Sequence, residues 1–536
     1  MDRRSFLLLA GGVGATLAGT ATGYRRWQEL TPRIDYAGRA VGHFLRDARA
    51  IPPPSFTLTT DVAILGSGVA GLTAAWKLKR EHHTDFLVID GPERYGNAAG
   101  GHFGELAFPT GAHYLPLPSP ESFHVREILH DLGILLKNPS AARPLYDERF
   151  ILHAPEERVL FNGKWQEGIL PRDGVSAAEL AEQDRFARDV TRLKDARGSD
   201  GKRVFVMPSA LSSNDPAWLA LDAISFKQWL DQQGYRAPTL HWYADYCTRD
   251  DYGSGYDAVS AWAGLHYFCS RGGEAENASP GAWLTWPGGL NPVLSGLDRA
   301  AGNRRRAGTA VSLKQERDSV SILCVELIDG QPRSYLIKAR KAICAMPLMV
   351  AARVVEGIAD SGFERATHMP HYAPWLVANF LMKRFPKELP ALPLSWDNVV
   401  YGTTGLGYVV STHQDIRVAP PEKTVFTSYA ALSDQTPAAA RKWLEQASPE
   451  QLLARVSVDL TAAYGRHFGA HVERVDITLR AHAMATPRPG FRSNAGLKAL
   501  RDASGAVLYA HADLSGFSVF EEAAWWGYMA ALKVLG

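Results

Sequence analysis

Between Asp61 and Asp90 the chain reads as strand, glycine turn, helix, strand and acid, and this order constrains the fold more than any other feature. Asp61-Val62-Ala63-Ile64-Leu65 is a short apolar run of the kind buried in a parallel sheet. It leads directly into Gly66-Ser67-Gly68-Val69-Ala70-Gly71, a helical stretch from Leu72 to Lys79, and a second apolar strand, Phe86-Leu87-Val88-Ile89, ending at Asp90. Gly66 suits the tight turn, Gly68 lets backbone approach a pyrophosphate, and Gly71 lets helix and strand pack closely. The helix N-terminus supplies free N–H groups and a positive dipole end for phosphates. Asp90 is placed to accept from a ribose hydroxyl. The reading is an α/β chain that opens on a Rossmann-like dinucleotide unit.

Length and composition bound the rest. The 536 residues have room for roughly three to four compact units, or two large interleaved ones. Apolar residues make up 46% and charged residues 21%, enough for a substantial core and incompatible with whole-chain disorder. Net charge is 58 − 56 = +2 without long single-sign blocks, which argues against a nucleic-acid partner held by charge. The 4 Cys include no CxxC pair and the 17 His no HExxH, so no metal site is expected. Cys324 and Cys344 sit in strand-like apolar runs, and four buried free thiols are expected rather than disulfides.

Met1-Asp2-Arg3-Arg4-Ser5-Phe6-Leu7 places two arginines before a moderately apolar stretch that ends near Ala21. This start resembles a twin-arginine export signal, which carries folded proteins out of the cytoplasm. Residues 1–30 therefore read as a signal or an N-terminal anchor, with a periplasmic or exported protein held at most to the membrane through its N-terminus. No other run approaches the ~20 apolar residues of a membrane-spanning helix. Residues 25–50 read as a helical lead, with Pro52-Pro53-Pro54 as a spacer; the segment 31–56 joins the start to the first strand.

Further motifs identify the dinucleotide. Gly91 to His102 ends in a glycine pair, Gly100-Gly101, followed by His102. Trp286-Pro287-Gly288-Gly289-Leu290 precedes a helical run, and Thr309-Ala310-Val311-Ser312-Leu313 precedes Lys341-Ala342-Ile343-Cys344-Ala345-Met346-Pro347. Near the end, Val507-Leu508-Tyr509-Ala510-His511-Ala512-Asp513 is a strand ending in an acid, ahead of a helix start at Phe520-Glu521-Glu522. Together these motifs resemble the flavin-containing amine oxidoreductase superfamily, which spans monoamine and polyamine oxidases, protoporphyrinogen oxidases and phytoene desaturase-like enzymes. The resemblance implies FAD as cofactor. Gly66, Gly68, Gly71 and Asp90 would serve its adenosine diphosphate end, and Gly100, Gly101 and His102 the turn along the pyrophosphate and ribityl chain. Val311 would meet adenine through its backbone and Asp513 would bond the ribityl chain. The helix after Val519 would present its N-terminus to the flavin. The family usually has Arg where His102 stands. The FAD-binding domain is then discontinuous, in parts 57–150, 281–350 and 487–536, around a helical or substrate subdomain at 151–280 and a mixed-sheet substrate domain at 351–486.

On the substrate side the resemblance weakens. Flavin amine oxidases typically carry a strand lysine bonded through water to the flavin; in Pro374 to Lys383 the nearest polar candidate is Asn379, which can hold a water but cannot act as a base. Two aromatic rings usually flank the flavin, whereas here Val519, beside Phe517 and Phe520, and His482-Ala483 stand near those places. His482 reads either as a flavin-facing acid/base or attachment point, or as a structural histidine. Asn379 and His482 are the candidate catalytic residues. Trp242, Tyr246, Tyr252 and His266 either line a pocket in which Asp250 and Asp251 attract a cation, or simply pack a helical subdomain; Trp396, Asp397 and Tyr401 fit both pictures. His113 and Tyr114 divide in the same way. The expected activity is flavin-dependent oxidation of a small molecule, an amine first, with O₂ or a membrane quinone as acceptor. The rivals are a desaturase or isomerase of an apolar substrate, a non-catalytic FAD-holding subunit, and an NAD-dependent dehydrogenase.

Overall fold

The computed structural model describes residues 30–47, 51–388, 392–419 and 421–536. The export-signal reading of the start falls on residues outside these. Two sheets organise the chain. The first is built on Thr57–Leu65, whose last residues are buried on both faces. It pairs in parallel with Phe86–Ile89 on one side and with the C-terminal half of Gln331–Cys344 on the other. Arg305–Arg306 extends one edge beyond Phe86–Ile89, and Val507–Tyr509 adds a parallel strand against Ala342–Cys344. Thr309–Gln315, Val320–Ile328 and Gln331–Cys344 form an antiparallel meander on the same sheet. Helix Val69–Arg80 lies between its first two parallel strands in sequence and packs against the final helix, Phe520–Leu535.

The second sheet has eight strands. Its longest strands, His371–Met382 and Val472–Thr486, pair with each other, and beyond His371–Met382 the order runs Thr424–Ala431, Tyr408–Val410, Asp397–Val400, Glu157–Phe161 and Lys164–Glu167. Its far edge is Arg33–Tyr36, parallel to Asp476–Leu479. This corrects part of the helical lead expected over residues 25–50: among its described residues, Arg33–Tyr36 is a strand and Arg39–Arg46 is helical. The alternation in Arg33-Ile34-Asp35-Tyr36 is too short to register as a strand, and pairing with a distant strand decides it. Ile34 and Tyr36 pack onto the core beneath that sheet.

Helices Ala177–Lys194, Phe226–Gln232, Pro238–Tyr252 and Ala261–Cys269 form a third body with its own core around Trp262, Phe226 and Tyr235. All four cysteines are buried and unpaired. No helix among the described residues is long and apolar enough to cross a membrane.

Candidate active site

Where the two sheets and the helical body meet, a cavity opens between loop residues 111–116, strand residues Trp375 and Val377, Tyr429, Arg480, Ala483, Met484, and the start of the final helix. The loop is held from behind. Tyr114–Pro116 pairs antiparallel with Trp283–Thr285, the Leu290 N–H donates to the Ala112 carbonyl at 3.1 Å, and the Thr285 hydroxyl donates to the His113 carbonyl at 3.0 Å. The Trp286–Leu290 motif therefore shapes the cavity wall.

One end of the cavity is acidic. Helix Pro238–Tyr252 stops at Gly253, whose left-handed backbone (φ 68°) abuts Trp375, and its last turn delivers Asp250 and Asp251 to the wall. Acids in a last turn oppose the negative end of the helix dipole, so local helix preference does not explain them. The two differ in their surroundings. Arg271 Nη2 donates to Asp251 Oδ1, while Arg271 also lies 3.9 Å from the centre of the Tyr267 ring. Asp250 has no hydrogen-bond partner among the described residues. Burial, then the charge of Asp251, pushes its carboxyl up to about 7 despite Arg271. In the same lining the His113 ring stacks on Tyr429 at 4.5 Å, and burial pushes that imidazole down to about 3, so it is neutral. Glu521, 2% exposed, lines the same space with Oε1 unpartnered, and burial pushes its carboxyl up to about 7.

Another part of the lining is tied by Arg480. It donates to both Glu93 carboxylate oxygens, to the Thr110 carbonyl at 2.9 Å and to Asn97 Oδ1 at 3.0 Å. Asn97 in turn donates to the Ala483 carbonyl at 2.6 Å. Arg480, Asn97 and Tyr429 escape a reading of the sequence because their roles depend on contacts across more than 300 residues, and Trp375 and Arg271 because nothing local marks them as lining a pocket. The one local signal is an arginine, Arg480, directly after the run Ile477-Thr478-Leu479.

The expected catalytic pair is not brought into this space. Asn379 lies on the same strand face as Trp375 and Val377, but the segment before the loop covers it. It is fully buried, donating to the Pro109 carbonyl at 3.0 Å and accepting from the Thr427 hydroxyl at 2.7 Å, so its place is a cross-link between strand and loop. His482 is exposed, with its ring 6.0 Å from that of Tyr372. Its neighbour Ala483 faces the cavity instead, as does Val519. Of the aromatic set, Tyr252 and His266 are spent on the carbonyls of Ala263 and Val206. Trp242 and Tyr246 pack on each other, and Trp242 on Tyr401. Trp396 backs the His113 ring at 5.4 Å.

The glycine turn has the geometry of a phosphate cradle. A Cβ on Gly71 would sit 1.9 Å from the Gly66 carbonyl oxygen, so the helix can start this close to the strand only with glycine there. A Cβ on Gly68 would meet no protein atom within 4 Å, and Gly68 puts no side-chain cap over the first-turn N–H groups. The register shifts between Ala310 and Ser312, so Val311 falls outside the ladder. Asp513 is fully buried. Its Oδ2 accepts from the Leu348 N–H at 2.8 Å and the Tyr372 hydroxyl at 2.5 Å, while Oδ1 accepts no hydrogen bond among the described residues and lies 3.2 Å from His511 Nδ1. Burial raises that carboxyl, but His511, Tyr372 and Leu348 outweigh it and hold it below the usual range. Gly100 and Gly101 lie in a hairpin with Leu106–Pro109, where His102 points to solvent.

The family model described as flavin containing amine oxidoreductase matches residues 69–493. A putrescine oxidase triple mutant is similar in fold at 16% identity, with a TM-score of 0.63, over 89% of this chain and 99% of that one. Cyclohexylamine oxidase from Brevibacterium oxydans IH-35A gives 16%, 0.60, 89% and 98%, and a CLA-producing fatty acid isomerase from P. acnes 15%, 0.56, 88% and 97%. No curated protein matches the sequence. The chain belongs to the flavin-containing amine oxidoreductases, and FAD is its cofactor. The open Gly68 approach, the uncapped helix start, the unladdered Val311 and the orphaned Asp513 Oδ1 fit that group.

Proposed function

We propose that this FAD-dependent oxidoreductase oxidises an amine whose ammonium head is received by Asp250. The observation that carries this reading is a carboxylate without a hydrogen-bond partner among the described residues, in a largely apolar wall and beside a second acid already paired with Arg271. An approaching cation stabilises the ionised form of Asp250 and is oriented by it, while Trp375, Val377, Tyr429 and Met484 receive an apolar body and exclude water. The Tyr114 side chain lines the same cavity, and its hydroxyl can accept a hydrogen bond from the same head. Bound FAD supplies a two-electron acceptor for the C–H bond next to nitrogen. Twin-arginine export, and O₂ or a quinone as final acceptor, belong to the same proposal.

A second reading, desaturation or isomerisation of an apolar substrate, is favoured by one feature. Val519 and Ala483 put aliphatic groups on the cavity, near the two places where the family usually carries rings. Anaerobic mixing of the purified flavoprotein with a panel of amines and unsaturated lipids separates the two. Bleaching of the flavin spectrum by an amine, with weakened saturation in Asp250→Asn, supports the first reading; bleaching or turnover confined to lipids replaces it.

A further inference from the structure

Arg305 makes contacts to Asp90 that the dinucleotide fingerprint does not require. Its Nη1 donates to Asp90 Oδ1 at 2.7 Å and to Oδ2 at 2.9 Å. Backbone register explains how they meet. Arg305 lies opposite Val88 in the parallel pair, and the ladder continues through the Asp90 N–H to the Arg306 carbonyl at 3.0 Å. Side chains alternate along a strand, so Arg305, Val88 and Asp90 share a face. From helix Asn291–Ala300 the carboxylate of Asp298, 2% exposed, reaches the same place. Its Oδ2 accepts from Arg305 Nε at 2.5 Å, from Arg94 Nη2 at 3.0 Å and from the Tyr95 hydroxyl at 3.3 Å. Arg305 is thus held at Nε by one acid while Nη1 holds another.

A partly exposed ion pair adds little to stability, so strand pairing alone gives no reason for a doubly anchored arginine here. Its effect on Asp90 is specific. One nitrogen shared between both oxygens fixes the carboxylate plane and leaves each oxygen a lone pair, the acceptor set needed by two adjacent hydroxyls. We propose that Arg305, held by Asp298, is a positioning residue that orients Asp90 toward the 2′- and 3′-hydroxyls of the FAD adenosine ribose.

The test uses the full chain stripped of flavin and titrated, by flavin fluorescence, with FAD and with FAD whose adenosine lacks the 2′-hydroxyl. The wild-type chain binds the deoxy analogue about tenfold or more weakly, the loss of one hydrogen bond to a charged acceptor. In Arg305→Met that preference shrinks to about twofold, and Arg305→Lys recovers part of it. Asp298→Asn, which loosens Arg305 while leaving it and Asp90 in place, reduces the preference too. A wild-type chain without preference overturns the proposal, as does an Arg305→Met or Asp298→Asn chain that binds both ligands more weakly in equal proportion.

Discussion

Arg480 and Glu93 form a two-pronged ion pair between the two sheets, with Nη1–Oε2 at 2.8 Å and Nη2–Oε1 at 2.7 Å. Arg480 belongs to the long strand Val472–Thr486 of the second sheet and Glu93 to the turn after the dinucleotide acid, so the pair clamps one wall of the cavity to the cofactor domain. The Arg480 side chain is 6% exposed. Arg480→Met leaves Glu93, the Thr110 carbonyl and Asn97 without their donor. The expected loss is roughly 2–4 kcal/mol, the lower side of the range for breaking a buried pair because Glu93 keeps some solvent. Denaturant unfolding measures it.

Two glycines of one turn should respond differently. Gly68 has φ −75° and ψ −172°, open to any residue, and open space where a Cβ would stand. Gly68→Ala should fold with stability unchanged within about 0.5 kcal/mol, yet bind FAD at least about tenfold more weakly, because the methyl occupies the phosphate approach. Gly71→Ala forces a methyl against the Gly66 carbonyl and should cost roughly 1–3 kcal/mol or more in the flavin-free chain. Thermal unfolding and flavin content, measured together, distinguish the two.

The acid wall predicts a pH dependence. With the Asp250 carboxyl raised to about 7, KM for an amine should fall as pH rises through 7 and the carboxylate forms, and rise again where the amine itself loses its proton, near 10. Asp250→Asn should remove the acid limb and raise KM at pH 8 by about tenfold or more.

Stability should move the other way. A raised carboxyl holds its proton more tightly in the folded chain than in the unfolded one, where the value is about 4. Ionising it therefore destabilises the fold: the penalty is absent below about 4, grows up to about 7 and is complete above that. Asp250→Asn should raise the unfolding temperature at pH 8 and leave it nearly unchanged at pH 4. Unfolding scans at both pH values, run beside the KM series, check this.

Asn379 is expected to act on stability alone. Asn379→Ala leaves the Pro109 carbonyl and the Thr427 hydroxyl buried without a partner, costing roughly 1–3 kcal/mol, while flavin reduction by a good amine substrate keeps its rate within about twofold. His482→Ala should change stability by less than about 0.5 kcal/mol. Stopped-flow reduction of both variants is the check, and a tenfold slower rate at unchanged stability would return either residue to the catalytic list.

What the sequence determined by itself is local. Alternation of apolar runs, a glycine turn with its helix, and an acid at a strand end are short-range patterns, so the dinucleotide unit around Gly66 and Asp90 and the motif at Trp286–Leu290 stand out in the chain itself. What only the tertiary structure decided depends on which groups meet at long range. Asp250 and Asp251 are adjacent and chemically identical, and nothing in their order says that Arg271 neutralises one and leaves the other facing the cavity. Asn379 shares the strand face of Trp375 and Val377, and only the overlying Pro109 segment removes it from the site. Arg33–Tyr36 is a strand because a partner more than 400 residues away offers it an edge. Hydrogen bonds and burial belong to pairs and enclosures, and those exist only after the chain has closed on itself.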